Sequence, residues 1–347
     1  MREIKFTQAI NEATDQCMAA DPRVQIMGLG VPDPKGIFGT TTGLQAKYGA
    51  ERVSDLPTSE NGMTGVAIGC ALAGMRPILS HQRLDFAMLS LEQIVNQAAK
   101  WHFMFGGRMR MPLVIRMLIG RGWGQGPQHS QSLQAWFAHI PGLKVVMPTT
   151  PHDAKGLLIA SIEDDNPVIF LEHRWLYNIS GSVPEPMYRV PLGAARVMRE
   201  GSDITIVATS YMALEAFRAA DMLAQQGISA EVVDVRTLRP WDETTVMSSV
   251  AKTGHVIVTD TGWAAVGFSA EVVARIAEQG IALRKPPRRI CLPDSPTPTS
   301  PALAAHFYPR AVDLATAAAA MLGATFKAPP PPTIPLDVPD MSFTGPF

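Results

Sequence analysis

Short apolar runs alternating with helix-length segments constrain this chain more than any other feature. "MPLVIRML", residues 111–118, is apolar at nearly every position, which suits a parallel strand covered on both faces. "VQIMGLGV", "RPILS", "KVVMP" and "PVIFLE" read as further strands, with residues 5–20, "LSLEQIVNQAAKWHFMF" and "DAKGLLIASIED" as helices among them. This alternation predicts a doubly wound α/β domain up to about residue 175. "NISGSVPEPMYRVPLG" then has linker chemistry. The pattern resumes with "DITIVATS", "ALEAFRAADMLAQQG", "SAEVVDVRTLRP", "HVIVTD" and "AEVVARIAEQG". The expected fold class is therefore α/β with two doubly wound domains, residues 1–178 and 200–326, joined by a linker at 179–199. The Pro-rich tail, 327–347, lacks core periodicity and is expected to be extended, docked on a partner or disordered.

A formal net charge of -1 gives no electrostatic footprint for nucleic acid. Charged residues are 18% and hydrophobic ones 46%, an apolar balance expected where other subunits cover part of the surface. Cys17, Cys70 and Cys291 are far apart, without a CxxC or a metal-ligand spacing, and read as reduced thiols. The N-terminal "MREIKFTQAI" has no apolar signal core and no run is long and apolar enough to span a bilayer, so a cytoplasmic location is expected.

The densest glycine loop, "IGRGWGQGPQHSQS", has no GK[ST] and does not fit G-x-G-x-x-G, and neither does "GLGVPDPKG" near residue 30. A nicotinamide dehydrogenase thus lacks its fingerprint. The loop follows a strand, and open α/β sheets bind ligands beyond their strands' C-terminal ends. His129, with Gln128, Ser130 and Gln131 beside it, is read as catalytic or substrate-binding rather than structural. His139 in "FAHIPG", set among apolar residues, is read as structural.

"DLPTSENGMTGVAIGCALAGMRP", residues 55–77, predicts a helix capped by the Thr58 or Ser59 hydroxyl, since Pro57 cannot continue it backwards. Glu60 falls in the first turn, where an acid complements the helix dipole by ~0.3–1 kcal/mol. Gly62, Gly65, Gly69 and Gly74 follow, and an interior glycine costs roughly 0.8–1.0 kcal/mol relative to alanine. Something, a helix or a ligand, is therefore expected to approach this backbone closely, with Glu60 beside a packed interface.

Together with "LEQIVNQAAK", "HSQSLQAWFAHIPGLKVVMPTTPHDAKGLL", "NPVIFLE" and "TLRPWDETTV", this segment resembles the β subunit of the thiamin diphosphate-dependent 2-oxoacid dehydrogenases, relatives of the C-terminal half of transketolase. The resemblance runs in order from about residue 3 to 323. It implies a pyrimidine-binding domain and a transketolase-type C-terminal domain. It also implies that Glu60 hydrogen-bonds the cofactor's aminopyrimidine and promotes the imino tautomer that removes the thiazolium proton. Burial against an apolar ring would raise the pKa of such a carboxyl. By the same resemblance Phe86 packs on the pyrimidine, Gln82 lies near cofactor or substrate, and His129 binds or protonates intermediates. Leu113, Ser161, Asp164 and Asn166 fall where some members hold a potassium ion.

The family's diphosphate and Mg2+ are held by a GDG-initiated motif, and no GDG occurs in this chain. The resemblance therefore implies an α subunit carrying that motif, an α2β2 heterotetramer and a shared active site. The activity implied is decarboxylation of a 2-oxo acid with acyl transfer to the lipoyl group of an acyltransferase. Two alternatives are a split transketolase moving a two-carbon ketol unit from a ketose, and a non-catalytic structural or regulatory partner of an α subunit. Departures from the family pattern cluster near the site. Leu29 or Gly30 stands where members often carry an acid, and His81, His173 and Arg174 are basic where many members differ. Arg121 and Trp123 are individual to this loop. The added basic groups could meet a substrate carboxylate or phosphate, or form interface salt bridges, the reading favoured for Arg174.

Overall fold

The computed structural model describes residues 2–122 and 124–330. Trp123 and the tail beyond residue 330 lie outside the described residues, so the expectations attached to them have no structural counterpart. In chain order the strands are β1 (Arg2–Lys5), β2 (Val24–Met27), β3 (Val53–Ser54), β4 (Arg76–His81), β5 (Val114–Ile119), β6 (Lys144–Val146), β7 (Val168–His173), β8 (Ser180–Val183), β9 (Arg196–Arg199), β10 (Ile204–Ala208), β11 (Ala230–Asp234), β12 (Thr237–Arg239), β13 (Val256–Trp263) and β14 (Arg288–Leu292).

One sheet has the order β12-β6-β7-β5-β4-β2-β3 and is parallel except where β12 runs antiparallel to β6. Every residue of β2, β5 and β7 is buried, which is why these strands read as largely apolar runs without alternation. Helices Phe6–Ala20 and Pro151–Glu163 pack against each other and share a core cluster with Ile26, Ile78 and Val114. The second helix is set by Thr150, whose hydroxyl accepts from the Asp153 N–H, and by Pro151 in its first turn. Helix Glu60–Leu72 joins the other cluster through Ala67, Ile68 and Ala71. The stretch 89–105, expected as one long helix, instead begins in a 3₁₀ turn at Met88–Ser90 and passes through a π-helical stretch at Gln93–Ala98 before the short α-helix Ala99–Met104.

The other sheet has the order β14-β13-β10-β11-β9, parallel except for antiparallel β9. Helices Tyr211–Ala224 and Ala311–Leu322 pack together beside it. Helices Glu243–Thr253 and Phe268–Glu278 contribute to the core cluster that also holds Ile68 and Leu113.

Two features differ from the sequence reading. The "TLR" of "SAEVVDVRTLRP" leaves the second sheet and becomes β12, on the edge of the first. The chain turns there with Arg236 at φ 58°. Arg236 then donates to Asp153 Oδ1 at 2.9 Å and to the Ala194 and Ala195 carbonyls, while β12 covers the edge that β6 would otherwise expose. The linker is also partly ordered into strands. β8 pairs with β1, and the buried Lys155 ammonium donates to the carbonyls of Pro184, Glu185 and Pro186 at 2.8, 2.9 and 3.1 Å. No described helix is long and apolar enough to cross a membrane.

Candidate active site

The C-terminal ends of β2, β3 and β4 lead into neighbouring turns, and a cleft forms where they meet helix Glu60–Leu72. Gly28 permits the approach: a Cβ there would lie 2.3 Å from the Ser80 carbonyl oxygen. The Gly30 N–H donates to Asp55 Oδ1 at 2.9 Å, and Gln82 Nε2 donates to the Leu29 carbonyl at 3.1 Å. The cleft is lined by Leu29, Leu56, Glu60, Met63, His81 and Phe86, among others. Its volume is ≈ 30 Å³, room for about one water.

Glu60 opens its helix as expected and is half-buried. Ser59 takes the cap position, but its hydroxyl makes no capping bond, contrary to the expected cap. The neighbouring-helix reading of the glycines also changes. Gly74 lies beyond the helix end, and a Cβ added at Gly65 or Gly69 would meet nothing within 4 Å. Within this chain that helix face is open.

Two buried polar atoms on the cleft wall, Ser80 Oγ and His81 Nε2, have no hydrogen-bond partner. Burial pushes the His81 imidazolium down to a pKa of about 4, so the ring is neutral near pH 7. It does not supply the cation that its place in the sequence suggested. A flat heterocycle carrying donors and acceptors suits this wall: a carboxylate at the mouth, orphaned polar atoms on the floor and the Phe86 ring at the side. His129, at the end of the short 3₁₀ turn Pro127–His129, meets Phe86 edge to face, with centroids 5.3 Å apart and planes at 84°. Glu60, Gln82 and Phe86 thus share the cleft, and His129 abuts its aromatic side.

His173 and Arg174 do not line this cleft. His173 Nδ1 accepts from the Trp175 N–H at 3.2 Å, and its ring stacks on Tyr211 at 5.1 Å. Burial, helped by the Arg83 and Arg310 charges, pushes its pKa down to about 3. The Arg174 guanidinium lies 4.7 Å from the Phe38 ring centroid and 4.8 Å from that of Tyr177. His173 thus packs on Tyr211 of the C-terminal half, whereas Arg174 packs on Phe38 and Tyr177 of its own half, and these rings cover both residues.

The turn considered for potassium is occupied by protein cations. Arg76 Nη1 donates to the Ile162 and Asp164 carbonyls at 3.0 and 3.1 Å, and Lys144 pairs with Asp164 Oδ2. Asp164 Oδ1 accepts from the Asn166 N–H at 2.9 Å, the Leu113 carbonyl from the Val168 N–H at 2.9 Å, and Ser161 Oγ donates to the Leu157 carbonyl at 2.7 Å. An added cation would compete with two existing ones, so these residues do not fit a potassium site.

Sequence reasoning missed Arg83 and Asp85, buried between Gln82 and Phe86. Opposite charges inside the otherwise apolar "RLDFAML" were the available signal. It also missed a larger groove, about 1110 Å³, between the halves, with Trp136, Trp241 and Trp263 on its walls. His139 is exposed on that groove rather than enclosed by apolar neighbours. Gln134 Nε2 donates to Asp260 Oδ1 at 2.7 Å on its floor, and burial raises the Asp260 pKa.

Residues 2–180 match the transketolase pyrimidine-binding domain and residues 193–314 the transketolase C-terminal domain. The chain is 44% identical over 328 residues to the acetoin:2,6-dichlorophenolindophenol oxidoreductase subunit beta of Cupriavidus necator, covering 91% of this chain and 97% of that one. It is 40% identical to the mitochondrial pyruvate dehydrogenase E1 component subunit beta-2 of Oryza sativa subsp. japonica, covering 91% and 86%. A solved structure described as "Split gene transketolase, inactive beta4 tetramer" has the same fold, with a TM-score of 0.77 at 23% identity over 92% of this chain and 99% of that one. By its matched domains and these relatives, the chain belongs to the transketolase-like family, among the β subunits of the 2-oxoacid dehydrogenase E1 type.

Proposed function

We propose that this chain is the β-type half of a thiamin diphosphate-dependent enzyme that decarboxylates a 2-oxo acid and passes the acyl group to a lipoyl acceptor. It works only with an α-type chain, in an α2β2 assembly. The observation that carries the shared site is the cleft itself, a wall with a carboxylate, orphaned polar atoms and an aromatic side but room for about one water. The absence of GDG assigns the diphosphate and Mg2+ to the partner. The potassium reading is set aside because Arg76 and Lys144 already serve that turn.

When bound, thiamin diphosphate supplies the electron sink for breaking a bond beside a carbonyl. This chain supplies placement and proton handling. Glu60 holds or releases a proton at its carboxyl, whose desolvation requires a bound ring and a covering partner, since it is half-buried here. Phe86 limits the ring's position through its face, while Gln82 braces the Leu29 turn opposite. His129 would give or take a proton at the cleft's aromatic side, as an imidazole does in general acid–base catalysis.

A second reading, cleavage of the uncharged hydroxyketone acetoin, is favoured by two observations. The Cupriavidus relative is named for acetoin. The cleft wall contributes no lysine or arginine, and its histidine is neutral, so this chain offers a substrate carboxylate no fixed cation there.

The test is purification of the chain with whatever co-elutes, calorimetric titration with thiamin diphosphate and Mg2+, then turnover with pyruvate or acetoin against a lipoyl domain, dichlorophenolindophenol or an aldose. Cofactor binding by a GDG-bearing pair and acyl transfer from pyruvate are the expected results. Binding by the chain alone refutes the shared site. Acetoin as the sole donor selects the second reading, and an aldose as the sole acceptor refutes both.

A further inference from the structure

The segment after β4 holds the loop that carries His129 as well as lining the cleft. The Arg83 guanidinium is 3% exposed. Its Nη1 donates to the Gly120 carbonyl at 2.6 Å, where that loop leaves β5, and its Nη2 donates to Gln125 Oε1 in mid-loop. Gln125 Oε1 also accepts from the Gly122 N–H at 3.1 Å, so the same oxygen gathers the loop around the cation. No carboxylate lies within ion-pair distance of Arg83 among the described residues. Its hydrogen-bond acceptors are loop atoms.

Asp85 holds the loop's far end. It is 7% exposed, and its Oδ1 accepts from the Gln131 backbone N–H at 3.3 Å and from Gln131 Nε2 at 3.0 Å. Between the two attachments Phe86 meets His129. The other side of the loop rests on the C-terminal half. Arg121 Nη2 donates to the Thr299 carbonyl at 2.9 Å, and a Cβ on Gly126 would come within 2.1 Å of Thr299 Oγ1.

We propose that Arg83 and Asp85 are positioning residues that clamp the loop after β5 through Gly120, Gln125 and Gln131 and so hold His129 in register with Phe86. Glycines at 120, 122, 124 and 126 make this stretch expensive in entropy to order. The clamp opposes that cost through burial: lifting the loop strands a guanidinium and a carboxylate with unmet hydrogen bonds. The two charges act at opposite ends, so neither end can slide without the other attachment resisting. The clamp's catalytic consequence rests on the proton-handling role given to His129 above, whereas its mechanical consequence does not.

The experiment uses the full chain assembled with its partner and four variants: Arg83→Met, Arg83→Lys, Asp85→Asn and His129→Gln. Hydrogen exchange of the amides of 120–131 is read with and without thiamin diphosphate, alongside kcat and KM. In Arg83→Met and Asp85→Asn, loop exchange is expected to rise at least about tenfold while β10 and β13 stay protected. kcat should fall by about 100-fold, the scale of an ångström-level misplacement, with KM and cofactor affinity nearly unchanged. Arg83→Lys keeps the charge but replaces a fork with a single ammonium. It should exchange at an intermediate rate, which keeps the test open if Arg83→Met does not fold. Unchanged loop exchange in Arg83→Met (or in Arg83→Lys if that variant alone folds) and in Asp85→Asn overturns the clamp. Raised exchange with unchanged kcat, where His129→Gln does slow turnover, overturns the positioning role. Full turnover in His129→Gln refutes the role of His129 instead, and the exchange data still decide the clamp.

Discussion

Replacing both Gly65 and Gly69 by alanine should stabilise the chain alone and weaken its assembly. Both glycines lie inside helix Glu60–Leu72, both are exposed, and an added Cβ meets nothing within 4 Å at either. In the isolated chain the substitution acts through helix propensity, gaining roughly 0.8–1.0 kcal/mol per site, or about 1.6–2.0 kcal/mol for the pair. With a shift of about 2–4 °C per kcal/mol for a domain of this size, the melting temperature should rise by roughly 3–8 °C. In the assembly the sign reverses if another chain packs on this face at glycine distance. Overpacking costs typically ~1–3 kcal/mol per site, so two methyl groups should reduce affinity for the α-type partner by roughly thirty-fold or more. Thermal denaturation of the chain alone and sedimentation of the pair read the two effects separately. A stabilised chain that assembles with undiminished affinity would refute the reasoning: the glycines would then face solvent in the working enzyme, and their cost would have no structural return.

Glu60→Gln should assemble and bind cofactor yet lower kcat by about 10²–10⁴-fold, the usual share of a proton-transfer group; turnover at the parent rate removes Glu60 from the mechanism. Arg116 and Glu172 form a fully buried pair at 2.6 and 2.9 Å, with the Tyr177 hydroxyl donating to the same carboxylate at 2.6 Å. Arg116→Met leaves that carboxylate unpaired and should cost about 3–5 kcal/mol in urea denaturation, while the double variant Arg116→Met/Glu172→Leu recovers most of it. Burial, reinforced by the Asp153 charge, pushes the Asp234 carboxyl up from 3.8 to about 7. The folded chain therefore keeps a proton that the unfolded chain releases above about pH 4, so this group makes stability decline as pH rises from about 4 to about 7. Asp234→Asn should remove that decline, and an identical pH profile for the variant would refute the assignment.

The parallel core was readable because strands buried on both faces cannot alternate: "VIRMLI" and "VIFLEH" are buried throughout, and only Arg116, Glu172 and His173 interrupt their apolar character. The start of the Glu60 helix was readable because proline and a serine at the cap leave few other places for it. Glu60 and His129 drew attention through their places at a helix start and on a glycine loop, Gln82 and Phe86 through family resemblance, and the structure gathers all four at the cleft and its aromatic side. The fate of the individual charges was not readable. His173 and Arg174 look like surface or substrate groups until Tyr211 and Phe38 arrive from elsewhere in the chain to cover them. His81 looks like a charge until burial removes its proton. Asp260 and Gln134 meet across 126 positions, and no local pattern encodes a pairing of that span.

The strand β12 changes where this protein can be cut. A gene divided in the 179–199 stretch, the seam that the sequence advertises, would yield an N-terminal fragment whose β6 backbone is left bare and ready to recruit neighbouring molecules. The other fragment would carry the missing three residues with nothing to lie against. Soluble production of the first fragment should require a short peptide spanning Thr237–Arg239, added in trans or grafted after residue 183, and that strand-complementation requirement follows from pairing register alone.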